Sequence, residues 1–100
     1  MQHIPLANIP AQAFTIVLGG QNCTLSLYWR QRRLYLDLSV GSALICEGAI
    51  CQNMASVVPY PSRGFAGELR FIDLEGDRAP HWQELNSRYV LTYLSDGEAP

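Results

Sequence analysis

Lysine is missing altogether. The seven basic side chains are all arginines, at positions 30, 32, 33, 63, 70, 78 and 88, and nine carboxylates give a formal net charge of −2. Proteins that hold nucleic acid through its phosphates carry a basic excess or a concentrated basic stripe. Only Arg30-Gln31-Arg32-Arg33 gathers positive charge here. No aromatic residue interleaves that run, so it reads as a solvated hairpin tip, and a sequence-specific nucleic-acid partner is not expected. Arginine without lysine is compatible with planar ion pairs at interfaces, where the guanidinium fork suits carboxylates better than an ammonium does.

Cysteine is scarce and odd in number. Cys23, Cys46 and Cys51 leave at least one thiol unpaired in the monomer, which argues against a disulfide-built secreted scaffold and for reduced thiols. In an unbroken strand Cys46 and Cys51 would face opposite sides of the sheet. The two histidines, His3 and His81, lie far apart and no C-x2-C pair exists, so the cysteines read as small buried hydrophobes, and neither metal nor cofactor is expected. No window approaches the roughly 18 uninterrupted apolar residues of a membrane span, and the opening residues lack the basic start and apolar run of a secretory signal. No membrane partner is expected, and the chain reads as soluble and unexported.

Reactive signatures are missing too. A nucleophile elbow, a phosphate-cradling glycine loop and an HExxH helix are all absent. Gly19-Gly20 has neither a following helix nor the lysine of a P-loop, and so supplies turn chemistry. His81 and Glu84 stand three apart with Asp77 nearby, the one spacing that suggests a general acid/base pair. Its plainer reading is a polar helical face beside Trp82. Glu47, Glu68 and Asp73 are equally available as paired carboxylates, yet β-proteins carry such residues routinely on solvated faces. The chain is expected not to be an enzyme.

What is present is two-residue periodicity. With 48% apolar and 16% charged residues, 100 residues make one folded domain. Phe14, Ile16 and Leu18 share one parity of a strand over Ala13 to Leu18, followed by Gly19-Gly20-Gln21-Asn22 as a tight hairpin. Cys23 to Arg30 sets Cys23, Leu25, Leu27 and Trp29 against Thr24, Ser26, Tyr28 and Arg30. After the polar tip Gln31-Arg32-Arg33, Leu34, Leu36, Leu38 and Val40 alternate with Tyr35, Asp37 and Ser39. Ala43 to Cys51 is apolar on both parities apart from Glu47, with Gly48 marking a bulge. Glu68 to Leu74 and Arg88 to Leu94 are two further core strands.

Between these strands lie the connections. Gln52 to Gly67, with Pro59, Tyr60, Pro61 and Gly64, is longer than the loops usual in compact domains and reads as an interaction loop. Pro80 suits the first turn of a short helical stretch over His81 to Asn86. The N-terminal arm, residues 1–12, carries Pro5 and Pro10 and is expected to run extended without a regular ladder, covering its own sheet edge or crossing to a neighbour. The tail, residues 96–100, is expected to fray. Six short, mostly antiparallel strands hide both sheet faces either as a closed small β-barrel, the favoured all-β architecture, or as a two-layer sandwich.

The order and spacing of these elements resemble a known family. Ile4-Pro5-Leu6, Ile9-Pro10-Ala11-Gln12-Ala13-Phe14-Thr15-Ile16, the hairpin Gly20-Gln21-Asn22-Cys23-Thr24-Leu25 and Leu27-Tyr28-Trp29-Arg30, with Leu34-Tyr35-Leu36-Asp37-Leu38, are similar to the baseplate plug family of contractile-tailed bacteriophages. So are Gly67-Glu68-Leu69, Asp73, Gly76-Asp77, Pro80, Trp82, Glu84-Leu85 and Arg88-Tyr89-Val90-Leu91-Thr92-Tyr93-Leu94. Cys46 and Cys51 fall outside that likeness. The resemblance implies a non-enzymatic component of the virion's tail baseplate, assembled in the host cytoplasm as a plug or tube adaptor. It also implies contacts with hub or tube proteins and a homo-oligomeric ring.

The residues offered for contact are Ile4, Pro5, Ile9 and Pro10 of the arm, Tyr60 and Phe65 of the long loop, and Trp82. Aromatic residues supply large contact areas at interfaces as well as in cores. The alternative function is an OB-type module binding single-stranded nucleic acid through Arg30, Arg32 and Arg33. The least favoured is a small hydrolase using His81 and Glu84.

Overall fold

A computed structural model describes residues 2–58 and 64–95. Its strands are β1 (Gln2–Ile4), β2 (Ala11–Leu18), β3 (Gln21–Arg30), β4 (Arg33–Val40), β5 (Ala43–Ile50), β6 (Glu68–Asp73) and β7 (Tyr89–Leu94), with a single 3-10 turn at Trp82–Glu84 among the described residues. The all-β reading therefore holds. The helical stretch expected over His81 to Asn86 is the shorter Trp82–Glu84 turn, because Leu85 is extended and bridges Tyr89 while Asn86 takes a left-handed φ of 66°.

The strands form two antiparallel sheets, β2-β3-β4-β5 and β1-β7-β6. The favoured closed barrel is thus corrected to the sandwich. The chain after β5 explains why the sheet does not close. The Cys51 N–H donates to Leu34 O on β4 at 3.0 Å, whereas Met54 N–H and Val57 N–H donate to Phe71 O and Leu69 O on β6 at 2.9 and 2.8 Å. This segment crosses from one layer to the other and makes only isolated bridges, Asn53 with Phe71 and Ser56 with Arg70, so no continuous ladder joins the two sheets.

Alternation decides what each face does. Leu25 and Leu27 of β3 and Leu34, Leu36 and Leu38 of β4 are buried, and they meet Ile4, Leu69, Phe71, Leu91 and Tyr93 of the other sheet in one core. Burying each such leucine contributes about 2 kcal/mol. The intervening residues Thr24, Ser26, Tyr28, Tyr35, Asp37 and Ser39 face outward. In β7 both parities are buried, and Thr92 satisfies its hydroxyl by donating to Arg70 O at 2.9 Å. β7 is the centre of its sheet, between β1 and β6.

Two local expectations are refined. The first residues do form a ladder: β1 pairs with β7, Gln2 opposite Tyr93 and Ile4 opposite Leu91. Pro5 follows this strand, so every residue within it keeps its N–H, and the arm covers its own sheet's edge. β5 carries register shifts against β4 between Leu36 and Ser39, with Gly48 at φ 67°. Extra residues there break strict alternation, which allows Cys51 to be buried and Cys46 half-buried although they are five apart. All three cysteines are free, and burial pushes each thiol pKa up, so they stay protonated.

Gly67 is a tight point. Its φ is +107°, and a Cβ there would sit 2.5 Å from Leu94 O and 2.6 Å from the Tyr93 ring. Only glycine lets the chain enter β6 so close to β7.

Candidate interaction surfaces

The residues proposed for contact separate on folding. Ile4 and Phe65 are core residues, fully and almost fully buried. Ile4 is consumed by the β1–β7 pairing, and Phe65 packs edge-on to Tyr93 with ring centroids 5.8 Å apart. Their side chains are thus unavailable at the surface. Tyr60 lies outside the described residues. Pro5, Ile9 and Pro10 are exposed, and Trp82 is half-buried.

The loop that carries Ile9 and Pro10 meets the 3-10 turn of Trp82 at one end of the sandwich. Gln12 clamps the loop before β2, accepting from Ala7 N–H at 3.0 Å and donating to Ala7 O at 2.8 Å. Asn8 donates its amide to Gln83 O at 3.0 Å, and Trp29 N–H donates to Pro10 O at 2.8 Å. Trp29 in turn lies 4.3 Å from His81, whose ring faces Trp82 at 6.1 Å. The proline loop and the 3-10 turn are therefore fixed to the end of β3 that leads into the arginine tip.

His81 and Glu84 do not form an acid/base pair. His81 caps the 3-10 turn, its Nδ1 accepting from Gln83 N–H at 3.2 Å, while the Glu84 carboxylate is directed at Arg88, 3.7 Å away. Glu68 and Asp73 are similarly committed, whereas Glu47 is exposed. Glu68 is buried against Arg70. Among the described residues, no group of three His, Cys, Asp or Glu side chains converges as metal ligands would, and no helix is long and apolar enough to cross a membrane.

Sequence reasoning missed the densest polar cluster. The Asp73 side chain, fully buried at the end of β6, accepts from Arg88 Nε at 2.7 Å and Nη2 at 2.9 Å. It also accepts from the backbone N–H groups of Glu75 and Arg78, each at 2.9 Å, and its own N–H donates to Asn53 Oδ1 at 2.9 Å. The Arg88 guanidinium holds the Asp73 carboxyl well below the usual carboxylate range, with the two backbone donors assisting against burial. The cluster clasps the β6–β7 connection to the crossing segment.

A second missed feature lies on the solvent face of the β3–β4 hairpin. The two-residue turn Gln31-Arg32 pairs Arg30 with Arg33 and Tyr28 with Tyr35. The tyrosine rings stack with centroids 5.8 Å apart and planes 22° from parallel, and the Arg30 guanidinium lies 5.3 Å from the Tyr28 centroid. Tyr28 OH and Gly48 N–H both donate to Asp37 Oδ1, at 3.1 and 2.7 Å. Burial and then this bond to a carboxylate push the Tyr28 phenol pKa up. The tip read as lacking an aromatic platform thus has one beside it, supplied by strand pairing rather than by sequence adjacency. The signal was present once the turn was placed at residues 31 and 32, since pairing then follows by counting outward.

The depressions on the surface are shallow. One of about 490 Å³ is lined by Thr15, Ile16, Val17, Asn22, Thr24 and Gly41, none of them titratable, and one of about 260 Å³ lies among Tyr28, Arg30, Gln31, Tyr35 and Gly48. The chain is thus a two-layer antiparallel sandwich whose exposed prolines and arginines sit on a loop and a hairpin tip. The family model described as the cyanophage baseplate Pam3 plug gp18 matches residues 1–96. The chain belongs to that baseplate plug family, which makes it a structural component of the phage tail baseplate. A search of curated proteins gives no match.

Proposed function

We propose that this protein is the plug or tube-adaptor subunit of a contractile tail, acting without catalysis, through contacts with hub or tube proteins and as a subunit of a homo-oligomeric ring. The observation that carries this reading is the family match over residues 1–96, which takes in all seven strands. The fold supports it. The proline loop, the 3-10 turn and the arginine tip share one end of the sandwich, where Trp29 and His81 tie them together. Exposed Ile9, Pro5 and Pro10 and half-buried Trp82 are the contact residues of that end. Purified protein mixed with the hub and tube proteins of its own phage should form a stable complex, and the protein should be present in purified virions. Failure with every tail protein, together with absence from virions, overturns the reading.

A further inference from the structure

The β3–β4 tip concentrates features that folding alone does not favour. Arg30, Arg32 and Arg33 are all exposed, and among the described residues none is ion-paired, whereas Arg70 and Arg88 are. Arg30 and Arg33 stand directly opposite each other, an arrangement that like charges destabilise. The turn itself is strained. Gln31 has φ 51° and Arg32 φ 63°, a left-handed pair of the kind that asparagine and glycine fill without penalty. Arg30 is held over Tyr28, and Tyr28 is held by Tyr35 and Asp37, so the charge is presented in a fixed place. Arginine and tyrosine are also the residues that most often dominate protein interfaces.

We infer that the arginine tip is a docking site for an acidic segment of a neighbouring baseplate protein, whose carboxylates pair with Arg30, Arg32 and Arg33 while its apolar stems rest on the Tyr28–Tyr35 rings. This rests on the plug-subunit reading and names the chemistry of one of its contacts. Guanidinium forks bind carboxylates bidentately and strongly once water is excluded. The charge mosaic favours a protein over a nucleic acid. Asp37 lies immediately behind the tyrosine pair, and Glu47 is close enough to act on Tyr28. A continuous run of phosphates crossing the rings would meet those two carboxylates, whereas a protein segment can place its acids over the tip alone.

The test is a phage whose plug protein carries Arg30→Ala, Arg32→Ala and Arg33→Ala together, with copies per purified tail counted by quantitative mass spectrometry and the isolated variant's melting recorded. If the alanine variant does not fold, the Arg→Gln triple replaces it. The expected result is a folded variant incorporated about tenfold or more below wild type, and second-site revertants of a phage carrying the Arg→Glu triple should map to acidic residues of one tail protein. Incorporation of a folded triple variant at the wild-type level overturns the inference. So does salt-dependent binding of a single-stranded oligonucleotide by the wild-type protein that the triple variant loses, since the tip would then be a phosphate site. Wild-type protein missing from the tails defeats the plug reading itself, and the inference with it.

Discussion

Arg88 and Arg30 have the same side chain and opposite fates. Arg88, just before β7, inserts its fork between two oxygens of a fully buried carboxylate at 2.7 and 2.9 Å. Arg30, at the end of β3, faces another arginine across the ladder and water everywhere else except for the Tyr28 ring. The first arrangement closes a loop and serves the fold. The second adds repulsion and turn strain to a hairpin that would form more readily without them. Charge that the fold does not need, held where it destabilises, marks the surface on which a partner would act.

The largest effect expected from this contrast comes from breaking the clasp. Arg88→Ala leaves the Asp73 carboxylate buried with only its two backbone donors, and stranding one member of a buried pair is among the more damaging substitutions. Its urea midpoint should fall further than that of any single tip variant. Arg88→Lys keeps the charge but loses the fork and should recover only part of the difference. The clasp also sets an acid response. Because folding depresses the Asp73 pKa, its contribution is complete above the ordinary carboxylate value of about 4 and is lost as pH falls through the folded value. The stability gap between wild type and Asp73→Asn should therefore be widest near neutral pH and narrow steadily below about pH 4. A gap that stays constant on acidification would mean that the carboxylate's charge contributes nothing.

These two regions also show what was legible before folding. The hairpin tip could be placed to within a residue, because the alternation of Leu25, Leu27 and Trp29 with Leu34, Leu36 and Leu38 forces the turn to fall between Arg30 and Leu34. The clasp could not, because Asp73 and Arg88 are fifteen apart with an irregular connection between them and no local pattern links them. Parity likewise identified the inward faces but not the closure of the sheets. A barrel and a sandwich demand the same alternation and differ only in where the chain after β5 pairs, which is set by the crossing from Leu34 to Phe71 and Leu69. The proposed contact residues divide between core and surface for a related reason. Ile4 and Phe65 have the apolar character of contact residues, and the same character makes them core wherever a second layer is within reach.

A gain rather than a loss is expected at the tip. Gln31→Asn with Arg32→Gly installs the residues that a left-handed two-residue turn accepts without strain, and relieving two such positions is worth about 1 to 2 kcal/mol. The double variant should melt several degrees higher than wild type by calorimetry. An unchanged or lower melting temperature would show that the turn is not strained, and the contrast with the clasp would lose half its support.

The smallest effect isolates the charge from the backbone. Arg33→Thr keeps a good strand residue opposite Arg30 and removes only the facing guanidinium, so it should stabilise the isolated protein by about 0.2 to 1 kcal/mol. Because the repulsion acts between solvent-exposed groups, it is screened by salt. The advantage of Arg33→Thr in urea denaturation should therefore be clear at low ionic strength and fade toward 1 M salt, where the screening length drops to about 3 Å. A gain that survives high salt would instead come from strand propensity. Arg30 and Arg33 would then be no burden on the fold, and their exposure would carry no implication of a partner.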